Sequence, residues 1–143
     1  RIMFLIFINL MFFWIHTSIA AVACPSPFSP VGEQCLLVLG GGSFGKDDRS
    51  WHKALDKCQQ RGGTLAQLRD STQLVKHIRS NDPSKRTWSF WVGAKRENEN
   101  EEFRWTRSGR YVSNWDDGQP DNGGFFNFLA GGENCVELMV RNG

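Results

Sequence analysis

Three oxygen-bearing side chains in the last third of the chain have the types and spacing of metal ligands. Gln119 and Asp121 flank Pro120, so an amide oxygen and a carboxylate lie two residues apart with a rigid imide between them. Glu133 follows twelve residues after Asp121, beyond a glycine-rich stretch. Donors of this kind suit calcium, which takes roughly six to eight oxygens at about 2.3–2.6 Å. Gln119, Asp121 and Glu133 are therefore candidate ligands of a calcium ion.

The proline between the first two donors decides whether both can face one pocket. If the Gln119–Pro120 bond is cis, both flanking side chains can point the same way, although only roughly 5–6% of such bonds in folded proteins are cis. By itself, the pentapeptide Gln-Pro-Asp-Asn-Gly predicts an ordinary turn, because proline fixes φ and Asn-Gly accepts positive φ. The surrounding elements are what favour the binding interpretation.

The first 23 residues differ from the rest and predict a secretory signal. Residues 2–15 are almost wholly apolar but fall short of the roughly 20 residues that span a membrane. Ala21-Val22-Ala23 before Cys24 is typical of a cleavage site, with Ser18-Ile19-Ala20 as an alternative site and an uncleaved anchor as the alternative outcome. We expect a secreted, extracellular domain over residues 24–143, with no membrane insertion after cleavage.

Four cysteines following such a signal predict disulfide bonds, which could pair in three ways. Cys24 and Cys35 enclose three prolines, which suits a short hairpin closed by a bridge. In the entropic model a loop of this size gains roughly 3 kcal/mol from such a bridge. Cys58 and Cys135 are left, and the spacing does not establish that they pair with each other. The chain has no CxxC motif, which argues against a zinc or thioredoxin-type site.

Charge and motifs exclude two further classes of function. The net charge of +2 is close to neutral and argues against a dedicated nucleic-acid or anionic-membrane binder. No serine or cysteine lies in a recognisable nucleophile motif, so we expect no enzyme activity.

Periodicity predicts two helices early in the chain. The first begins at the N-cap Ser50, stops at Gly62-Gly63, and carries the apolar stripe Trp51, Ala54, Leu55 and Cys58. The second is capped by Asp70, ends near Asn81, and has Leu74, Val75 and Ile78 as its apolar face.

Later segments predict an antiparallel β region. Strands are expected at residues 90–94, 103–105, 111–112 and 134–140, after an earlier buried strand at 35–39. Long glycine-rich loops join them, and loops of this length are usually functional. The fold class is therefore α+β.

Taken in order, these motifs resemble the C-type lectin-like domain, and the resemblance covers residues 24–143. It rests on the Cys24–Cys35 hairpin, the capped helix with Cys58, Gly63-Thr64-Leu65-Ala66, Trp91-Val92-Gly93-Ala94, Phe103-Arg104-Trp105, Asn114-Trp115, Gln119-Pro120-Asp121 and Glu133-Asn134-Cys135-Val136. The chain looks most like the short secreted lectins of invertebrates. The resemblance implies a disulfide-linked fold of two helices, antiparallel sheets and long calcium-binding loops.

The same resemblance implies a calcium ion held by Gln119, Asp121 and Glu133. It also implies a Trp-Asn-Asp motif with two further ligands, and two further cysteines, all expected after Gly143. We therefore expect the sequence to lack the C-terminal part of the domain, and Cys58 and Cys135 to pair with cysteines located there. An accessory calcium site is expected to be degraded, because Arg96 stands where relatives place an aspartate and Asn122 replaces a carboxylate.

Sugar preference is the last implication. Gln-Pro-Asp resembles the galactose-type motif, whereas mannose-type relatives carry Glu-Pro-Asn. Exchanging amide and carboxylate reverses the hydrogen-bond pattern offered to two neighbouring sugar hydroxyls. The aromatic residues Phe125, Phe126 and Phe128 are expected either to stack on galactose or to pack under their loop.

These features predict a calcium-dependent lectin for galactose-type glycans, serving glycan or microbial-surface recognition in innate immunity. The alternative is a calcium-independent, protein-binding lectin-like domain. The residues after Gly143 would discriminate between the two.

Overall fold

The computed structural model of the protein describes residues 23–39, 50–81, 87–121 and 133–141. Within these ranges the chain forms β1 (Ser29–Val31), β2 (Gln34–Leu36), α1 (Trp51–Gln60), α2 (Ser71–Asn81), β3 (Trp88–Lys95), β4 (Arg104–Trp105) and β5 (Cys135–Val140). Strands β1 and β2 form one antiparallel pair, and β4, β3 and β5 form an antiparallel sheet with β3 in the middle.

The first hairpin is short and is closed by a disulfide bond. Pro30 lies opposite Cys35 in the β1–β2 ladder, and Cys35 is bonded to Cys24. The prediction of a buried strand over residues 35–39 is wrong in extent, because β2 ends at Leu36 and Val38 is 37% exposed. The physical reason is the length of its partner: β1 has three residues, so the ladder ends after three pairs.

Helix α1 begins and ends where the sequence predicts. Ser50 has extended backbone, and its Oγ accepts a hydrogen bond from the Lys53 amide at 3.3 Å, which satisfies a donor of the first turn. At the other end Gly62 has a φ of +76°, and the amide of Gly63 donates to the carbonyl of Cys58 at 3.0 Å. The glycine pair therefore stops the helix and satisfies one of its last carbonyls.

Helix α2 has a polar start and an apolar inner face. The Asp70 carboxylate accepts from the Thr72 amide at 2.8 Å, and the hydrogen bonds with Thr72 lower the pKa of this exposed carboxyl. The predicted apolar face points into the core, with Leu74 and Ile78 buried and Val75 partly buried. The two buried residues form one core with three residues from the strands, namely Val31, Trp88 and Val140.

A second core lies on the same sheet and continues the first. Its buried members are Val92, Ala94, Phe103 and Val136. Leu68 and Leu138 pack against both cores and join them. Strand β3 contributes Trp88 to one core and Val92 and Ala94 to the other, because alternate residues of a strand point to the same face.

Strand β3 is also tied to the elements that cover it. Trp51 at the start of α1 is 5% exposed, and its Nε1 donates to the carbonyl oxygen of Val92 at 2.7 Å. The Gly93 amide donates to the Ala66 carbonyl at 2.9 Å. Gly93 lies in the part of β3 where the register with β5 shifts. A Cβ on Gly93 would lie 2.7 Å from the Leu65 carbonyl oxygen. This close backbone approach explains why the strand interior contains a glycine.

We predict that Gly93→Ala lowers the free energy of unfolding by about 1–3 kcal/mol. The added methyl would meet the backbone of Leu65, and the next residue, Ala66, is hydrogen-bonded to position 93 itself. Urea unfolding followed by tryptophan fluorescence measures the change. The matched control is Gly63→Ala, whose Cβ would meet ring carbons of Phe28 at 3.2 Å, a side chain that can turn aside. Equal losses for the two variants would contradict the close-approach argument.

Candidate functional site

The residues that carry Gln119 and Asp121, which we name the donor segment (residues 112–121), are anchored on a buried ring. Val112 donates its amide to the Phe103 carbonyl at 2.9 Å. The Trp115 ring meets the Phe103 ring edge to face, with 5.0 Å between centroids and 63° between planes. Because Phe103 is only 5% exposed, the anchor belongs to the core and not to the surface.

Further along, the donor segment folds back on itself. Asp116 forms an ion pair with Arg141 at 2.7 Å, and its carbonyl accepts from the Gln119 amide at 2.9 Å. Asn114 and Gly118 both have positive φ, of 64° and 78°. The Gln119–Pro120 bond is cis, the isomer that the sequence hypothesis requires. Gln119 and Asp121 are exposed at the end of this turn.

Glu133 lies on a different element, just before β5. Glu133 is exposed, and its backbone carbonyl accepts a hydrogen bond from Arg96, which directly follows β3. The guanidinium donates to the Glu133 carbonyl at 3.0 Å and to Asn134 Oδ1 at 3.1 Å. The Arg96 amide also donates to the Asn134 carbonyl at 2.9 Å, which extends the β3–β5 pairing by one step.

Cys58 and Cys135 are both half-buried thiols that lie outside the Cys24–Cys35 bond. Burial raises the pKa of the Cys135 thiol; the nearby Lys95 opposes this rise and Glu97 adds to it. Such a thiol stays protonated near neutral pH and is a poor nucleophile. The pairing of Cys58 and Cys135 with cysteines after Gly143 stays a prediction.

Gln119, Asp121 and Glu133 line the same open groove, which has a volume of ≈ 1170 Å³. Residues of the donor segment and of β5 are among those that line it. The three candidate ligands thus come from two elements and line one groove, and their joint binding of an ion stays a prediction. The candidate stacking residues Phe125, Phe126 and Phe128 lie outside the described residues, as does Asn122, on which the expectation of a degraded accessory site partly depends.

The three side chains fit calcium as part of a coordination shell. They are hard oxygen donors on an exposed rim, which suits this ion. Together they carry at most about five oxygens, fewer than the roughly six to eight that calcium takes. Within the described ranges, no cluster of three or more His, Cys, Asp or Glu side chains is placed to hold a metal. Other groups, water or sugar hydroxyls must therefore complete the shell.

Sequence reasoning missed two of the contacts that shape this site. The Asp116–Arg141 ion pair and the Arg96–Glu133 hydrogen bond each join residues that no local pattern relates. The one sequence signal for the anchor was Trp115, an apolar ring in an otherwise polar run of sequence.

Comparisons of the sequence with known proteins identify the family of the domain. A family model described as the lectin C-type domain matches residues 47–143. The chain is 29% identical to a perlucin-like protein of Mytilus galloprovincialis over 115 residues, which cover 72% of this chain and 64% of that protein. It is 27% identical to the C-type lectin mosGCTL-7 of Aedes aegypti over 95 residues, 63% of this chain and 59% of that one. The chain thus spans less than two thirds of each relative's length.

A solved structure shares the fold. The human scavenger receptor C-type lectin carbohydrate-recognition domain superposes with a TM-score of 0.59 at 21% identity, covering 84% of this chain and 85% of that one. This likeness confirms the α+β fold expected from the sequence. In the described part of the chain, neither helix has the length and apolar character needed to cross a bilayer.

We predict that Trp115→Ala loosens the donor segment and lowers the free energy of unfolding by about 2 kcal/mol, less than the roughly 3–5 kcal/mol lost at fully buried aromatic sites. Trp115→Phe should retain most of the stability, because it keeps a ring against Phe103. Limited proteolysis within residues 116–121 and urea unfolding are the measurements. Tyr111→Ala is the control, since Tyr111 is 59% exposed; greater cleavage there than in Trp115→Ala would refute the anchor.

Proposed function

Because the chain belongs to the C-type lectin domain family, we propose that it is a calcium-dependent lectin that binds galactose-type glycans. Domains of this family are non-enzymatic carbohydrate-binding modules, which confirms the expectation that the chain is not an enzyme. The observation that carries the finer proposal is the common groove lined by Gln119, Asp121 and Glu133. These three side chains are exposed and carry oxygen donors of the kind that calcium binds.

In this proposal the ion supplies a positive centre to which two neighbouring sugar hydroxyls can bind directly. The protein's own residues fix which hydroxyls fit. The Gln119 amide offers both a donor and an acceptor, whereas the Asp121 and Glu133 carboxylates only accept. Their arrangement around the groove therefore sets the hydrogen-bond polarity that the sugar meets. The phenylalanines at 125, 126 and 128 would add a stacking surface for the apolar face of galactose.

The setting proposed for this activity is extracellular. Residues 1–23 would be removed as a secretory signal, and the Cys24–Cys35 bond suits an oxidising compartment. Glycan or microbial-surface recognition in innate immunity is the role we propose for the domain. The chain covers only part of each relative that it matches. The activity of the whole protein is therefore also a proposal.

The first test is calcium removal from the protein expressed from its full coding sequence. Calcium should stabilise the folded state by about 2.7 kcal/mol at a free concentration roughly a hundredfold above its dissociation constant, because the ion binds only the folded state. Differential scanning calorimetry in calcium and in chelator measures the shift in melting temperature. Asp121→Ala should abolish most of it, since the variant loses a carboxylate ligand.

Asp56→Ala on the exposed face of α1 is the matched control and should keep the full calcium effect. A melting temperature that ignores both calcium and chelator would favour the protein-binding alternative. In that outcome the groove would not be a calcium site.

The second test isolates the sugar preference. The double change Gln119→Glu, Asp121→Asn keeps one carboxylate and one amide, so the net ligand charge and calcium binding should survive. The hydrogen-bond polarity is reversed, and the variant should bind galactose more weakly and mannose more strongly. The measurement is glycan binding in calcium buffer, with free galactose and free mannose as competitors.

The matched control makes the same two chemical changes on exposed positions of α1, Gln60→Glu with Asp56→Asn. It should leave the ratio of the two inhibition constants as in the parent protein. If the site variant binds calcium normally and its sugar ratio does not move, selectivity does not reside in this motif.

A further inference from the structure

The side chain of Arg96 donates hydrogen bonds to two residues that are distant in sequence and that line the groove. Its Nε donates to Asn134 Oδ1 at 3.1 Å, and its two terminal nitrogens donate to the carbonyls of Glu133 at 3.0 Å and Glu99 at 3.1 Å. Two of these acceptors are 37 and 38 residues away in sequence. One guanidinium therefore fixes the start of β5 and the loop after β3 to each other.

The same guanidinium stacks on the Phe103 ring, which also packs against Trp115 of the donor segment. The central carbon of the Arg96 guanidinium lies 4.6 Å from the Phe103 ring centroid, and Trp115 meets that ring at 5.0 Å. The backbone that carries Glu133 and the segment that carries Gln119 and Asp121 are thus connected through Phe103. A planar cation suits this position, because it can stack on the ring and donate in its own plane at once.

The acceptors that Arg96 uses also have a specific chemistry. Carbonyl and amide oxygens are the neutral ligands that hard metal cations take in proteins. The adjoining acidic loop (residues 97–102) contains four glutamates, of which Glu97 pairs with Lys95 at 2.7 Å. Arg96 places a covalently attached positive charge among these oxygens and beside this acidic loop.

We propose that Arg96 is a positioning residue for the calcium-binding side chain of Glu133, acting as a built-in cation that orders the start of β5 before calcium binds. The inference depends on the proposed calcium-binding function. It assigns to Arg96 an effect on calcium affinity and no direct contact with the sugar. Loss of the guanidinium leaves all three oxygen donors in the chain, but part of the binding energy of the ion is then used to order the backbone that aims Glu133.

Arg104 of β4 provides a matched control. Arg104 also stacks on an aromatic ring, 3.9 Å from the centroid of Tyr111. It donates to the Gly109 carbonyl at 2.8 Å and to the Tyr111 hydroxyl at 2.6 Å. These contacts all lie within its own hairpin, so Arg104 shares the chemistry of Arg96 without its connection to Glu133.

The experiment compares Arg96→Gln, Arg96→Lys and Arg104→Gln in the protein expressed from its full coding sequence. Calorimetric titration gives the calcium dissociation constant, and galactose binding is measured at limiting and at saturating calcium. Arg96→Gln should raise the calcium dissociation constant roughly tenfold or more, the usual effect of losing a group that orients a ligand. Galactose affinity should recover at saturating calcium, because the sugar-binding donors are intact.

Arg96→Lys should weaken calcium binding less than Arg96→Gln, since an ammonium keeps the charge but not the planar fork. Arg104→Gln should bind calcium like the parent protein. Hydrogen exchange in chelator gives a readout that does not depend on the ion: the backbone amides of residues 134–136 should exchange faster in Arg96→Gln and not in Arg104→Gln.

The outcomes separate this inference from the proposed function. If the parent protein binds calcium and galactose while Arg96→Gln is folded and binds calcium equally well, the positioning role is overturned and the proposed function stands. Equal losses in Arg96→Gln and Arg104→Gln would overturn it too. A parent protein that binds no calcium overturns both. Should Arg96→Gln fail to fold, Arg96→Lys decides, and unchanged calcium affinity in it refutes the inference.

Discussion

The packing of Phe103 is the interaction on which the candidate site depends. The ring is buried in a core with Val92, Ala94 and Val136. One of its neighbours is the edge-to-face Trp115 and another is the guanidinium of Arg96. Aromatic pairs contribute about 0.5–1.5 kcal/mol beyond burial, and exposed cation–π contacts about 0.5–1 kcal/mol. Neither value is large, but both contacts are made to one ring whose position is already fixed by core packing.

Contacts to a ring of the core explain how exposed donors can have defined positions. Fixing the backbone of a residue costs about 1–2 kcal/mol, so a ten-residue segment cannot be ordered by its own turns alone. The donor segment obtains its order from the core through Trp115 and from β5 through Asp116 and Arg141. The ion pair is solvent-exposed and contributes little in isolation, at about 0–1 kcal/mol. The aromatic contact therefore stabilises the segment more than the ion pair does, and the ion pair selects among the remaining conformations.

Local signals were enough to predict the helices, and they failed where the structure depends on distant partners. Ser50, Gly62 and Asp70 act through neighbours within a turn, so caps and ends could be read directly from the sequence. The extent of β2 could not, because it is set by the length of β1 and not by the apolar run that continues to Leu39. The identities of the three candidate ligands came from two short motifs, but the groove that they line becomes visible only in the fold.

The same distinction explains why the role of Arg96 is hard to predict from the sequence. At the level of the motif it stands out as a basic residue where an acidic one is expected, which suggests only that something has been lost. In the fold its charge lies among the carbonyls of Glu99 and Glu133 and the amide oxygen of Asn134. An arginine in place of an aspartate reverses the charge of the side chain. It can still keep a positive charge at the site, because the guanidinium takes the position of both the carboxylate ligand and the cation that the carboxylate would bind. A carboxylate needs a bound ion to gather neutral oxygens around it, whereas a guanidinium donates to those oxygens directly. In the proposed role of Arg96, the order at the start of β5 depends on a covalent charge that does not dissociate.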